Sequence, residues 1–520
     1  MRSSVANSAF GKTRRAADAI VRIYVVIDKD FLLRALLQYN YLPFQREAKE
    51  EMPPLLSSEK FTPDIARELI KYESQNGRKR KTGYDWMEYR ATRFSNVSRS
   101  LAIPHPLGYA ALALTFYQYW DKIHPKIYSK NSLVAPKSHP DGRIIVMDYE
   151  KGARRAFREL RNRFGKRFIV QADIANFYPS IYSHSIPWAL VGFMQGKQAH
   201  EGDWFYEIDR RTQLLKRKET NGVPIGPATS NLIAETLLAR VDEDLRKKGF
   251  EFVRFIDDYV GVFATYDEAE DFLLSLSKSL GKYKLFLNER KTVISPLPTP
   301  LSTEWIADLN TRQPRPLETS VQAVRFLDYA IHKQKQTPQG SVLKYAVKSI
   351  LAEAKGEVAH AVLLYVLNLS MYYPVVIPLI NPLLDKLQIT TFPYTEEINF
   401  LLSTHVRYQR SDAVSWLLYY VFKHHVSLPE KLAHDLIQTK DCLPILMLYY
   451  ASPENQTLVV NFANRLVKTK TSIYDLDACW LLLYQLFYED KIRNPYKGFH
   501  KDAEAFDYLK SQGVSFLAPS

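Results

Sequence analysis

The sequence predicts an α/β half followed by an all-α half, and three stretches carry that expectation. Residues Phe250 to Phe263 read FEFVRFIDDYVGVF, with Asp257 and Asp258 side by side between two runs of Val, Ile, Phe and Tyr. Such residues favour strands and an Asp pair favours a turn, so the stretch reads as a β-hairpin with two carboxylates at its tip. Upstream, RFIVQADIANFYPSIY (Arg167 to Tyr182) puts Asp173 at the end of the strand-like Phe168 to Val170, with turn signals over Asn176 to Ser180. Beyond about Ser341 the chain turns to aromatic-rich helical stretches without acidic constellations.

Adjacent carboxylates repel, and one is driven toward neutrality unless a cation stands between them. Hard oxygen ligands suit Mg²⁺ or Mn²⁺, so Asp257 and Asp258 read either as metal ligands or as an ordinary Asp-Asp surface turn. Asp173 moves the balance. A third carboxylate at a strand end beside the hairpin supplies ligands for two metals, the arrangement that clamps the attacking and leaving oxygens of a phosphoryl transfer.

Composition sets the frame for that chemistry. At 520 residues the chain has room for two or three domains with real cores, and 46% hydrophobic with 24% charged residues excludes wholesale disorder. Residues 1–340 hold 53 Lys and Arg against 39 Asp and Glu, and residues 341–520 hold 17 against 17, so the whole net charge of +14 lies in the half that carries the aspartates. A basic catalytic half fits a bound polyanion; the alternative is a basic surface that aids solubility. Cys442 and Cys479 are the only cysteines, which implies no disulfide framework, no cysteine metal site and a reducing cytosol. The apolar run Ala19 to Ile27 is broken by Arg22 and does not make a signal peptide core. No stretch approaches the roughly 20 uninterrupted apolar residues of a membrane span; Ala361 to Ile380 comes nearest and is interrupted by Asn368, Ser370 and Pro374.

In chain order, residues 1–95 read as a helical extension, with capped amphipathic starts at Asp28 to Leu37 and Thr62 to Tyr72. The basic run Arg78 to Lys81 reads as a solvated loop or a nucleic-acid contact. Over Lys151 to Arg167, Ala153, Ala156, Phe157, Leu160 and Phe164 recur at helical spacing, and Lys151, Arg154, Arg155, Arg158 and Arg161 form the opposite face, a basic ridge suited to phosphates. Gly222 to Gly226 is a Gly/Pro loop, with Pro227 opening a helix that Gly249 ends and Ile233, Ala234, Leu237, Leu238, Val241 and Leu245 as its buried stripe. Gly226 has no side chain to keep a nucleotide from the loop backbone. Asp267 to Leu280 reads as a helix and Lys282 to Asn288 as a strand ending at Lys291. In the last third, SDAVSWLLYYVF, KDCLPILMLYYAS and LDACWLLLYQLFYED echo one another, with Asp412, Asp441 and Asp477 at steps of 29 and 36 residues, as in a degenerate α-solenoid. Its Tyr, Trp and Leu stripes read as core.

Four of these stretches resemble a known family in its own order, over roughly Asn96 to Tyr329. FIDD resembles the metal-binding box of reverse transcriptases and DIANFYPSI their first palm motif; NGVPIGPATSNLIAE (Asn221 to Glu235) resembles the motif between them, and LNERKT (Leu287 to Thr292) the one that follows. SRSLAIPHPLGYAALALTFYQYW from Ser98 resembles the family's fingers entry. The wording is closest to bacterial abortive-infection reverse transcriptases, the AbiK-like and prophage-borne phage-defence group. One departure is Ile225, where templated retroviral enzymes carry a Gln that contacts the incoming nucleotide.

The resemblance implies an α/β palm-and-fingers core over residues 96–340, an N-terminal extension over 1–95 and a HEAT-like helical repeat domain over 341–520. It implies magnesium-dependent DNA synthesis from dNTPs, with manganese as the other metal, protein-primed and template-independent, in a bacterial cytoplasmic homo-oligomer whose DNA product is covalently attached. Asp173, Asp257 and Asp258 would hold the metals and Lys291 would serve the departing pyrophosphate. Tyr178, five positions after Asp173, would be the aromatic gate against a ribose 2′-hydroxyl. Ile174, Arg143, Arg154, Arg155 and Gly226 would bind substrate, and Arg325 to Tyr329 would resemble the turn supporting a primer end. Tyr39 and Tyr41, in QYNYLP, are the candidate priming hydroxyls. Two other readings stay open: an RNA-templated enzyme of retron or intron type, and an inactive nucleic-acid-binding scaffold.

Overall fold

Two small sheets organise the catalytic half, one at the entry hairpin and one beneath the aspartates. The computed structural model describes residues 27–44, 49–74, 80–94, 97–147, 152–389, 392–498 and 500–518; the basic N-terminus with the apolar run before Ile27, Arg78, Lys79 and Lys151 lie outside them. Asp28 caps α1 (Lys29–Arg34), its carboxylate accepting from the Phe31 N–H at 3.0 Å, and a π-helical turn, Ala35–Tyr39, continues it. Helix α2 (Pro63–Ser74) stands where the second amphipathic start predicts it.

The expectation of helix up to residue 95 fails at β1 (Trp86–Phe94), which pairs antiparallel with β2 (Val97–Pro104). Met87 and Tyr89 are buried while Glu88 between them is exposed, the alternation of a half-buried strand. Pro104 ends β2, and α3 (Pro106–Ile127) follows with Pro at its first position. The segment GRIIVM (residues 142–147), though rich in strand-forming Ile and Val, is irregular. Its backbone pairs with a side chain instead: Asn40 accepts from the N–H groups of Ile144 and Ile145 and donates to the Ile145 carbonyl.

After α4 (Gly152–Arg163) the palm sheet begins with β3 (Phe168–Asp173). It continues through α5 (Ala228–Lys247), β4 (Phe252–Phe255), β5 (Asp258–Phe263), α6 (Tyr266–Gly281) and β6 (Val293–Pro296). The strand order is β4-β5-β3-β6, every neighbour antiparallel. All six apolar stripe residues of α5 are buried, and α6, opened by the Thr265–Glu268 capping box, packs on β3 and β5. The strand expected at Lys282 to Asn288 is instead turn structure with one bridge, Ile174 to Leu287; pairing resumes only at β6.

From Ser320 on the described chain is helical. Arg325 to Tyr329 lies inside α7 (Ser320–Gln336), not in a strand turn, because Thr319 and Gln322 form a capping box that starts a helix there. The three echoing segments become α8 (Ser411–His424), α9 (Cys442–Ala451) and α10 (Trp480–Tyr488), and their aromatic stripes are core: Trp416, Tyr420, Tyr449, Trp480 and Tyr484 are buried. Helix α11 (His500–Ser511) closes the chain.

The aspartates that recur in those segments grip the entry hairpin. Asp412 accepts from the Thr92 N–H and hydroxyl at 2.6 and 2.8 Å, Asp441 pairs with Arg90 at 3.0 Å, and Asp477 takes Arg80 and the Asp85 N–H. Arg80 also reaches Asp502 at 3.2 Å. It is therefore a buried structural cation, which corrects the nucleic-acid reading of that basic run at this position. The two cysteines form a disulfide, Cys442 to Cys479, between the start of α9 and the residue before α10. That corrects the expectation of no disulfide: helices distant in sequence bring the two sulfurs together. Among the described residues no helix is long and apolar enough to cross a membrane.

Candidate active site

Strand pairing sets Asp173 directly across from Asp258, because β3 and β5 are neighbours and both carboxylates stand at the same end of the sheet. The hairpin between β4 and β5 has two loop residues, Ile256 and Asp257. Ile256 takes φ +58°, the positive value that a tight two-residue hairpin needs at its first loop position. One ligand oxygen from each of Asp173, Asp257 and Asp258 lies within 4.8 Å of the others. Burial, with Asp173 adding to it, raises the Asp257 carboxyl above its usual range, and burial with Asp257 and Asp173 nearby pushes Asp258 up to about 7. Such a cluster resists holding three negative charges by itself. All-oxygen donors this close fit a hard divalent cation, whose contribution when bound is to polarise phosphate oxygens and activate the attacking hydroxyl. Asp173, Asp257 and Asp258 are the residues that would hold it.

The segment LNERKT is drawn onto this cluster by backbone and side chain together. The Asn288 N–H donates to the Asp173 carbonyl at 2.7 Å and its amide to a carboxylate oxygen at 2.9 Å; Lys291 stands 3.2 Å from the same oxygen. Lys291 is thus brought to the aspartate cluster. Arg155 and Arg158 line, with Asp173, Asp258 and Lys291, a cavity of about 390 Å³. Arg154 lies on the exposed side of the same helix and does not line it.

Tyr178 is buried at 5% exposure, and its hydroxyl accepts from the Asn231 amide at 2.9 Å. Burial, with Asp257 nearby, raises its phenol well above the usual range, so it stays neutral. Ile174 is buried and bridges to Leu287, a support under the site. Gly226, at φ +139°, has its open side filled: a Cβ there would stand 2.8 Å from the Pro43 side chain and 3.2 Å from the Ala102 carbonyl. Packing against the N-terminal segment explains the glycine, which corrects the expectation of an unobstructed approach for a nucleotide.

Two further expectations are corrected by burial. The Arg143 side chain is 1% exposed, ion-paired with Asp141 at 2.7 Å and donating to the Phe44 carbonyl at 2.8 Å, so it faces inward and not toward a triphosphate. Tyr41 is 0% exposed, packed on Tyr109 and Phe61, with its hydroxyl donating to the Pro104 carbonyl. It is a core residue without the reach of a primer. Tyr39 is half-buried, its ring against Gly142.

A buried cation holds the hairpin from below. Arg254, in β4, donates to Asp242 and Glu235 of α5 and to the Ile256 carbonyl at 2.8 Å, and Tyr259 donates to Asp242 at 3.0 Å. Sequence reasoning missed this group and the Asn231 hold on Tyr178. The signal was an Arg within an otherwise apolar strand and two acids on the α5 helix, seven residues apart and so on one face.

Residues 120–343 match the family model described as reverse transcriptase (RNA-dependent DNA polymerase). No curated protein matches the chain. Among solved structures, apo telomerase from Candida tropicalis is similar at 12% identity and a TM-score of 0.30, over 77% of this chain and 73% of that one. With the motifs in order and the three aspartates gathered at the palm hairpin, residues 120–343 form a nucleotidyltransferase region of the reverse transcriptase family.

Proposed function

We propose that the protein is a magnesium-dependent DNA polymerase that builds DNA from dNTPs on its own tyrosine, without a template, in the cytoplasm of a bacterium defending itself against phage. The observation that carries the polymerase reading is the carboxylate cluster, three ligands within 4.8 Å beside a basic cavity of about 390 Å³. Nucleotidyl transfer needs anionic ligands for the metal and cations for the leaving phosphates, and this site has both. The neutral, clamped phenol of Tyr178 beside Asp257 suits a steric gate that selects deoxyribose.

The space beside Ile225 and Gly226 supports untemplated synthesis. It is a cavity of about 210 Å³ walled by Pro43, Arg99, Lys344, Pro374 and Trp416, below the roughly 300–1,000 Å³ of ordinary ligand pockets. A template nucleotide has no ready seat there. Tyr39 is the remaining candidate primer of the two in QYNYLP. The helical region after residue 341 fits a HEAT-like repeat array, and the oligomer belongs to the same reading.

Incubation of the purified chain with labelled dNTPs and Mg²⁺, with and without added RNA, tests this. Product of the same yield and composition in both reactions is expected. Product whose sequence follows the RNA would establish the templated enzyme instead, and no product in either would leave the inactive scaffold.

A further inference from the structure

Helix α4 presents its apolar residues to solvent. Phe157 and Leu160 are 75 and 57% exposed, and Phe164, in the turn directly after the helix, is 88% exposed, while the half-buried Arg158 and Glu159 and the more exposed Arg155 line the cavity beside Asp173, Asp258 and Lys291. An amphipathic helix in a globular domain ordinarily does the reverse. Scattered exposed apolar residues are normal, but these three fall together at the C-terminal end of one helix and the turn after it.

Their neighbours indicate what the face suits. Arg154, Phe157 and Arg161 follow one another at steps of three and four residues, so they share one outward side of the helix, and the exposed Phe164 follows in the turn after it, cation alternating with aromatic ring. Arg154 and Arg161 are exposed. The two rings stand seven residues apart, one on the helix and one on the turn that follows it. Single strands are held by this combination: bases stack on exposed rings and guanidinium groups take phosphates. A duplex has no unstacked bases to offer, and a purely polar anion has no use for the rings. The excess positive charge of the chain lies in this half, and the same helix forms a wall of the catalytic cavity, so the outward face continues from the site where a strand would be made.

We propose that the outward face of α4 is a track for single-stranded DNA, the strand produced at the adjoining site; this rests on the polymerase reading. The test is fluorescence anisotropy of a labelled oligodeoxythymidine with the full chain, without metal or dNTPs. Phe157→Ala and Phe164→Ala should each weaken binding about tenfold, the scale of one base–aromatic stack, and Phe→Trp at both positions should restore it. Both rings are solvent-exposed, so thermal unfolding should be unchanged. Arg154→Gln with Arg161→Gln should lower the salt dependence of binding. Unchanged affinity in the Phe157→Ala/Phe164→Ala double variant would overturn the proposal. So would a double variant that keeps its affinity and loses its self-association in light scattering, because the face would then be a contact between copies. Asp257→Asn separates the two readings: it should make no DNA and bind the oligonucleotide as the unaltered chain does. If the unaltered chain makes no DNA yet the ring variants lose binding, the polymerase reading fails and the track stands.

Discussion

The guanidinium of Arg254 donates to the Ile256 carbonyl at 2.8 Å, within the turn that presents Asp257 and Asp258. Ile256 carries φ +58°, which for a β-branched side chain costs about 1–3 kcal/mol. The turn therefore needs a hold from outside, and Arg254 gives it while its other nitrogens fork onto Asp242 and Glu235. Arg254→Met leaves two buried carboxylates without their cation, so a loss of about 3–5 kcal/mol is expected, measurable by urea unfolding. Stability within about 1 kcal/mol of the unaltered chain would show that the network does not hold the hairpin.

Asp173→Asn or Asp257→Asn should leave a folded protein that no longer incorporates nucleotides. Each removes one ligand charge from a cluster of three, weakening metal binding and the stabilisation of transferred phosphate together. A fall of at least about a hundredfold in labelled dNTP incorporation is the expected reading. Near-normal incorporation would sink the metal-site assignment.

Tyr178→Ala should admit ribonucleotides, since the ring fills the space next to Asp257. Asn231→Leu should do so more weakly, because it removes the donor that fixes the phenol at 2.9 Å and leaves the ring in place. Competition between dNTP and NTP reads both variants. Unaltered selectivity in an active Tyr178→Ala protein would make the tyrosine a packing residue only.

Stability should fall in mild acid through His105. Its ring is stacked between Tyr84 at 4.8 Å and Phe506 at 5.5 Å, with Trp480 and Tyr496 at its edges. Neither ring nitrogen has a hydrogen-bond partner among the described residues. Burial, and then the Arg80 cation, holds its pKa well below the usual value; Arg80 is itself paired with Asp477 and Asp502. The unfolded chain thus binds the proton more tightly than the folded one. The stability is present in full above the ordinary His pKa of about 6.5 and is lost as pH drops below it. Melting temperature should decline by a few degrees between neutral pH and pH about 5, and His105→Phe should flatten that part of the profile. A decline of the same size in both proteins would assign it to other groups.

Product should migrate with the protein on denaturing electrophoresis until protease releases it. Tyr39→Phe removes one candidate hydroxyl and keeps the ring that packs on Gly142; loss of the protein-bound label in that variant is expected. Label running as free DNA without protease would refute priming on the chain, and retained label in Tyr39→Phe would move the primer to another tyrosine.

The palm was legible because its signals are local. Apolar strands flank an Asp pair, and Gly222 to Pro227 precede a stripe whose six members all prove buried. What was hidden depends on partners distant in the chain. Arg143 looks like an exposed cation until Asp141 and the Phe44 carbonyl enclose it. Tyr41 looks mobile beside a proline until Tyr109, Trp480 and Phe516 surround it. For α4 the helical period was right, but its phenylalanines are exposed while Arg155 and Arg158 line the cavity with Asp173 and Asp258, a placement that depends on a sheet formed by residues farther along the chain.

The grip of Asp412, Asp441 and Asp477 on the entry hairpin means that the compositional border near Ser341 is not a place where the protein can be divided. A chain ending there would leave the Thr92 N–H, Arg90 and Arg80 without their acceptors, and would uncover the Ile103 carbonyl to which Trp480 donates at 2.9 Å. The helical half is thus a brace grown into the enzyme and not a detachable module. Removing Arg90 or Arg80 on the hairpin side would take an ion-pair partner from Asp441 or Asp477 just as removing the helices would take one from the arginines.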